Sequence, residues 1–359
     1  MDRRADHKYI DVYKSYTDDD GYSRIMDITN SYAAAFVDEA QNYTLSIDRW
    51  NIPLTSVPIF IMNRTPGFYT CELEYGGTSS GVIPITYVPN PQPYYSQLFD
   101  YYIYSYIQFI EYINTALETA FYNLKASVSL PTNIPPMFAY NSNVFILYLV
   151  VTDAYAKTNV TPINIYFNKE MFKFINGIPI IYKTLIANDR NCWIQCAPLI
   201  NNRRTITYTN NNAIPPVTYT ENGLTISSEY GNETLFNWNQ AKGIVVMSYN
   251  LMTTPELIPA NVNSNSGNSS LNTSTQQNPY QNVLASFDFL HGETPRSLTA
   301  QYILTSPYKR LDIMSNGPLN KIHMCVKWFD SFYNLYDLYL YPGEAMTMRF
   351  VFINKRVQS

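Results

Sequence analysis

Three histidines (His7, His291 and His323) and four cysteines (Cys71, Cys192, Cys196 and Cys325) are the whole supply of imidazole and thiol in this chain of 359 residues. Cys192 and Cys196 are four apart, which suits one half of a zinc site. A structural zinc needs a second Cys or His pair at matching spacing, and none follows. With Trp193 and Ile194 between them, the two cysteines read as part of a buried apolar segment. His323 alternates with Cys325 inside Lys321–Phe329, the position of a half-buried strand residue rather than of a general base. Glu72 and Glu74 share one strand face and could form a glycosidase pair, but two carboxylates at this spacing on an edge read as surface charges. The run Asp18-Asp19-Asp20-Gly21 lacks the spaced oxygens and closing Glu of a calcium loop, so it reads as a solvated turn. No phosphate-cradling glycine loop and no Gly-x-Ser-x-Gly elbow occurs among the 13 glycines. The expectation is a protein without catalytic, cofactor-binding or metal-binding residues.

Composition points to association instead. Charged residues make up 14% of the chain, against roughly 25% in ordinary soluble domains. Apolar residues still reach 46%, and 33 residues are tyrosine. That balance excludes disorder and suits a surface covered by neighbours, since solvated faces are normally rich in Lys and Glu. A net charge of −4 argues against a general nucleic-acid binder. Arg3, Arg4, Lys8 and Lys14 give the N-terminal arm a local basic bias that could touch a phosphate backbone weakly. The charged opening lacks a signal peptide, and no stretch approaches the ~18 apolar residues of a membrane span. Four cysteines in so long a chain make no disulfide framework.

Residues 1–30 read as a polar arm, and 31–95 as a β segment supplying the first strands. Within it Tyr43–Trp50 alternates apolar and polar residues, and Tyr69–Tyr75 and Val82–Val88 read as a hairpin around Gly76-Gly77, its loop longer than a tight turn. Residues 96–190 read as a helix-containing insertion. Tyr106, Ile110, Ile113, Leu117, Phe121 and Leu124 fall on one helix face, and Ser96 is its expected N-cap. Strands near Val144–Val151 and Ile163–Phe167 follow, then a helical turn over Lys169–Ile175. Residues 191–359 read as the core, with a flexible loop near 261–278. Its last strands are Ser297–Leu304, Tyr308–Met314, Ile322–Phe329, Asn334–Leu340 and Ala345–Ile353. The expected fold is mainly β: a jelly-roll sandwich with one long helix and inserted loops.

The C-terminal run from Leu319 through Trp328-Phe329-Asp330 to Leu338, closed by Pro342-Gly343-Glu344 and Ala345–Phe350, resembles the end of the minor capsid (penton-type) proteins of virophages and Polinton-like viruses. Thr44 to Phe60, with Asp48-Arg49-Trp50-Asn51-Ile52-Pro53, is similar to the same group, as is the helix bearing Ile113-Asn114-Thr115-Ala116-Leu117. The resemblance covers about a third of the chain. It implies a structural protein of the virion, made in the host cytoplasm. Its partners would be itself, as a homopentamer, and the major capsid protein of the same shell. The low charge and the surplus of tyrosine agree with a shell protein that must present weakly charged flanks to its neighbours.

Three other readings stand beside it. One is a glycan- or receptor-binding viral fibre or lectin-like module. Among Trp50, Trp193, Trp238 and Trp328, its best stacking platform is Trp238, in the Asn-rich stretch 232–240. Another is a small double jelly-roll major capsid protein, and the last an enzyme on a β-sandwich scaffold.

Overall fold

The computed structural model describes residues 7–16, 25–89, 101–141, 146–175, 177–182, 192–199, 201–227, 238–251, 253, 282–288, 299–303, 310–330 and 333–355. The chain divides into two compact units, one made of residues 1–58 with 240–359 and the other of 59–239. Three strands open the first unit: β1 (His7–Ser15), β2 (Asp27–Ser31) and β3 (Tyr43–Pro53). In β1, Ile10 and Val12 are buried while Tyr9, Asp11 and Tyr13 point outward, the period-two signature of a half-buried strand.

The second unit is an insertion after β3. Its strand β4 (Thr70–Tyr75) turns at once into Thr78–Ser79, pairing Tyr75 with Thr78. Both turn residues, Gly76 and Gly77, have positive φ (59° and 80°). A two-residue hairpin turn of this kind demands that conformation, which glycine adopts without strain. Helix α1 (Tyr106–Ser127) is N-capped by Ser105, whose Oγ accepts from the Ile107 N–H at 3.2 Å. Its buried face carries Phe109, Ile110, Ile113, Leu117, Phe121 and Leu124. That face lies in one cluster with residues of β4, β5 (Met137–Asn141), β6 (Ile146–Thr152) and β7 (Ile163–Phe167). Each large side chain so buried contributes ~1.5–3 kcal/mol. Asn114 ties the helix to β5 through both ends of its amide. Its Nδ2 donates to the Phe138 carbonyl at 2.9 Å, and its Oδ1 accepts from the Phe138 N–H at 2.7 Å. After the single turn α2 (Lys169–Phe172), capped by Asn168, strands β8 (Arg203–Asn210) and β9 (Val217–Ser227) form a long hairpin beside β6.

The chain then supplies β10 (Ala241–Ser248), β11 (Asn282–Asp288), β12 (Thr299–Ile303), β13 (Lys321–Asp330), β14 (Leu335–Asp337) and β15 (Ala345–Asn354). One five-stranded sheet runs β1-β15-β3-β12, with Leu311–Asp312 also on β3. The other runs β11-β10-β13-β2, with β14 on β13. Leaving out the two short side strands, eight strands pair first with last, second with seventh, third with sixth and fourth with fifth. That nesting is the jelly roll. Trp50 of β3 meets Phe287 of β11 at 5.0 Å between ring centroids, joining the inner faces of the two sheets.

Several expectations need correction. The polar arm 1–30 contains two jelly-roll strands. The insertion runs from 59 to 239, rather than from 96 to 190, and so splits the core between β3 and β10. The hairpin loop is tight, because Thr78–Ser79 resumes the pairing at once, and Ile83–Pro84 of the expected second strand then pairs with Thr70 and Cys71. The closing strands belong to one jelly roll but are shared between its sheets: β12, Leu311–Asp312 and β15 lie in one, and β13 and β14, which pair in sequence, lie in the other. The expected N-cap Ser96 and the loop 261–278 lie outside the described residues.

Candidate assembly surface

The groups that could have done chemistry are placed as structure. All four cysteines are free, and burial pushes the thiols of Cys71, Cys196 and Cys325 up to about 12, which keeps them protonated and unreactive. Among the described residues no group of three His, Cys, Asp or Glu side chains is arranged to hold a metal ion. His323 is the half-buried strand residue its spacing suggested: its Nε2 lies 2.9 Å from Asp27 Oδ1, and its Nδ1 accepts from the Tyr249 N–H at 3.1 Å. His291 and Asp18–Asp20 lie outside the described residues.

Two readings are overturned. Glu72 is 4% exposed, not a surface charge, and accepts a hydrogen bond from Ser79 Oγ of the tight hairpin. Its neighbour Glu74 is half-buried and accepts from Asn164 Nδ2 at 3.2 Å and from the Tyr166 hydroxyl at 3.3 Å. Trp238 is fully buried in the insertion core among Tyr106, Phe109 and Phe174, and its Nε1–H donates to the Phe174 carbonyl. It is no stacking platform. Trp50 and Trp328 are core residues as expected, and Trp193 is half-buried beside Tyr166. The basic arm also changes character. Lys14 donates to the carbonyls of Ile25 and Asp27 at 2.6 and 2.9 Å, and Lys8 lies 5.8 Å from the Tyr43 ring centre. Arg3 and Arg4 lie outside the described residues.

What the structure leaves outward is tyrosine and arginine at the margin of a sheet. β1 is a terminal strand, and its Tyr9 and Tyr13 are 56% and 60% exposed. Between them Asp11 receives a two-pronged bond from Arg349 of β15, Nε and Nη2 each at 2.7 Å. The guanidinium also sits 5.8 Å from the Tyr9 ring centre. The hydrogen bond from Arg349 holds the Asp11 carboxyl below the usual range. Rigid aromatic rings beside a preorganised guanidinium are the side chains that dominate protein interfaces. The alternation in His7–Ser15 carried this signal, hidden by reading the segment as an arm. A second outward feature is the tip of the β8–β9 hairpin, where Ile214 is fully exposed and Val217 partly so.

Residues 9–354 match the family of the Sputnik minor capsid protein V18/19. The chain belongs to that minor capsid protein family. Structural protein V19 of Sputnik virophage is 30% identical over 223 residues, covering 61% of this chain and 94% of V19. A chain of the Sputnik virophage structure determined by cryo-EM superposes with a TM-score of 0.74 at 27% identity, covering 99% of both chains. The mavirus penton protein shares the fold, with a TM-score of 0.63 at 15% identity over 96% of this chain and 99% of that one. As a minor capsid protein the chain is a structural component of the virus particle, in keeping with the resemblance seen in its C-terminal strands. Among the described residues of this capsid protein, no helix is long and apolar enough to cross a membrane.

Proposed function

We propose that this minor capsid protein is the penton of its shell, a ring of five copies closing the vertices and seated against the major capsid protein. The observation that carries this reading is the eight-strand jelly roll, in a chain that matches the fold of a penton protein over 96% of its length. The Tyr9–Asp11–Tyr13 face supports it, because a closed ring needs two different patches that meet head to tail and such patches are rich in Tyr and Arg. The protein works by association and not by catalysis: three of its four thiols are buried and its one described interior histidine is fully engaged in hydrogen bonds. It is made in the host cytoplasm before assembly. With Lys14 committed to backbone carbonyls, any contact with packaged nucleic acid rests on residues ahead of β1. The test is an icosahedral reconstruction of purified particles. Density for this chain at the fivefold positions is the expected result, and density elsewhere in the shell or on external fibres overturns the proposal.

A further inference from the structure

His323 sits where three elements meet: its own strand β13, the terminal strand β2 and the segment that leaves β10 after Ser248. That exit is fastened to β13 largely by side chains. Ser248 Oγ donates to the His323 carbonyl at 2.6 Å, Asn250 Oδ1 accepts from the His323 N–H at 2.9 Å, and Asn250 Nδ2 donates to the Lys321 carbonyl at 3.1 Å. None of these groups changes charge in ordinary solution. A further fastening is different, because it joins the Tyr249 N–H to His323 Nδ1 at 3.1 Å. The Tyr249 ring lies over the imidazole, 4.5 Å between centroids.

A backbone N–H can only donate, so Nδ1 must present its lone pair and the one proton of the neutral ring must sit on Nε2. There it points at Asp27 Oδ1, 2.9 Å away. A second proton has only Nδ1 to go to. It would then face the Tyr249 N–H, donor against donor, while the Asp27 carboxylate holds the new imidazolium more strongly than it held the neutral ring. Both bonds cannot survive protonation.

We propose that His323 is a proton-operated latch: neutral, it holds the Tyr249 amide of the β10 exit against β13, and protonated, it gives up that bond while keeping Asp27. The surrounding groups permit it. From β2 comes Asp27, held below the usual carboxylate range chiefly by its hydrogen bond with His323, and so an anion wherever an imidazole titrates. From β1 comes the ammonium of Lys14, bound to the Ile25 and Asp27 carbonyls. β13 itself adds Cys325, pushed up to about 12 by burial, and Lys327, paired with Asp337 of β14 at 2.6 Å. The Tyr249 phenol is raised by burial and by Cys325. Of these groups, only an imidazole ordinarily changes charge between about pH 5 and 8. The consequence is an exit from β10 that loosens at Tyr249 in acid while the strand pairs of the jelly roll stay intact.

The experiment is an NMR titration of the full chain with amide exchange followed from pH 8 to pH 5, corrected for intrinsic exchange. At pH 8 the His323 nitrogen shifts report the Nε2–H tautomer. Across the imidazole titration the protection of the Tyr249 amide falls roughly five- to tenfold, the loss of one hydrogen bond, while the amides of Val245 and Val246 hold theirs. In His323→Asn, whose Oδ1 takes the place of Nδ1 and can still accept from Tyr249, protection at Tyr249 no longer depends on pH. In Asp27→Asn the release moves to lower pH, because the imidazolium has lost its carboxylate. An Nδ1–H tautomer at pH 8, constant protection in the wild-type chain, or an equal fall in His323→Asn overturns the latch. If either variant fails to fold, the wild-type titration decides alone.

Discussion

The insertion and the jelly roll bury their sheets in opposite ways. In β4 and β7 of the insertion, Cys71, Leu73, Ile163, Ile165 and Phe167 enter the core, while the other face carries Glu72, Glu74, Asn164 and Tyr166, so one face of the sheet is apolar and the other polar even where Glu72 and Tyr166 are buried. In the jelly roll, Ile244 through Met247 of β10 and Met324 through Phe329 of β13 are buried without a break. Phe287, paired with Ile244, meets Trp50 on the inner face, and Val245, Met247, Val283, Cys325 and Phe329 form a separate cluster on the other. A sheet with one apolar and one polar face writes its fold into the sequence as alternation, whereas a sheet apolar on both faces writes only a continuous apolar run. That second kind of sheet is also where a charge has to be paired: Lys327, 5% exposed, keeps its ammonium on Asp337.

The comparison can be broken most severely at Leu117, which is fully buried on the helix face of the insertion. Leu117→Asp places an unpaired charge in an apolar seam, a loss upwards of about 4 kcal/mol. The insertion should lose its cooperative transition in calorimetry while the jelly roll keeps its own, and a single unchanged transition would show that the two are not separate cores. Next comes Asn114→Leu, which strands the N–H and carbonyl of Phe138 at a cost of about 2–4 kcal/mol, read as a shift in denaturant midpoint. On the jelly-roll side, a Cβ at Gly243 would lie 2.3 Å from the Phe287 carbonyl oxygen and 2.6 Å from Phe329 Cζ. Gly243→Ala should therefore destabilise that unit by about 1–3 kcal/mol, with the insertion's melting unaffected.

Smaller effects come from two carboxylates of the jelly roll, each about half exposed. The Asp27 carboxyl is held below its unfolded value by His323, so the stability it lends is present above about pH 4 and is lost as pH falls through its lowered folded value. Asp27→Asn should flatten that acid limb of the stability curve. Asp11, whose side chain is 58% exposed, has a pairing with Arg349 that water and salt screen. Asp11→Asn should change chain stability by less than about 1 kcal/mol and weaken assembly more than folding, measured by particle incorporation in competition with the wild-type chain.

Much of the fold was open to a reader of the residues. The spacing of Ile110, Ile113, Leu117, Phe121 and Leu124 defines a helix face by itself, because neighbours three and four apart must share a side. Gly76-Gly77 marks a turn for an equally local reason. The poverty of charge and the surplus of tyrosine announced a covered protein, and the C-terminal strands carried the family. What lay beyond reach depended on which distant segments meet. Ile10 and Val12 became core only because β1 pairs with β15 at the far end of the chain. Glu72 and Trp238 left the surface because Ser79 and the Phe174 carbonyl were there to satisfy them, and a polar group can be buried only where a partner waits. His323 was legible as a half-buried strand residue. That its two nitrogens bind groups from two other elements was decided by tertiary structure alone, since the periodicity of one strand says nothing about what its neighbours bring to the same point.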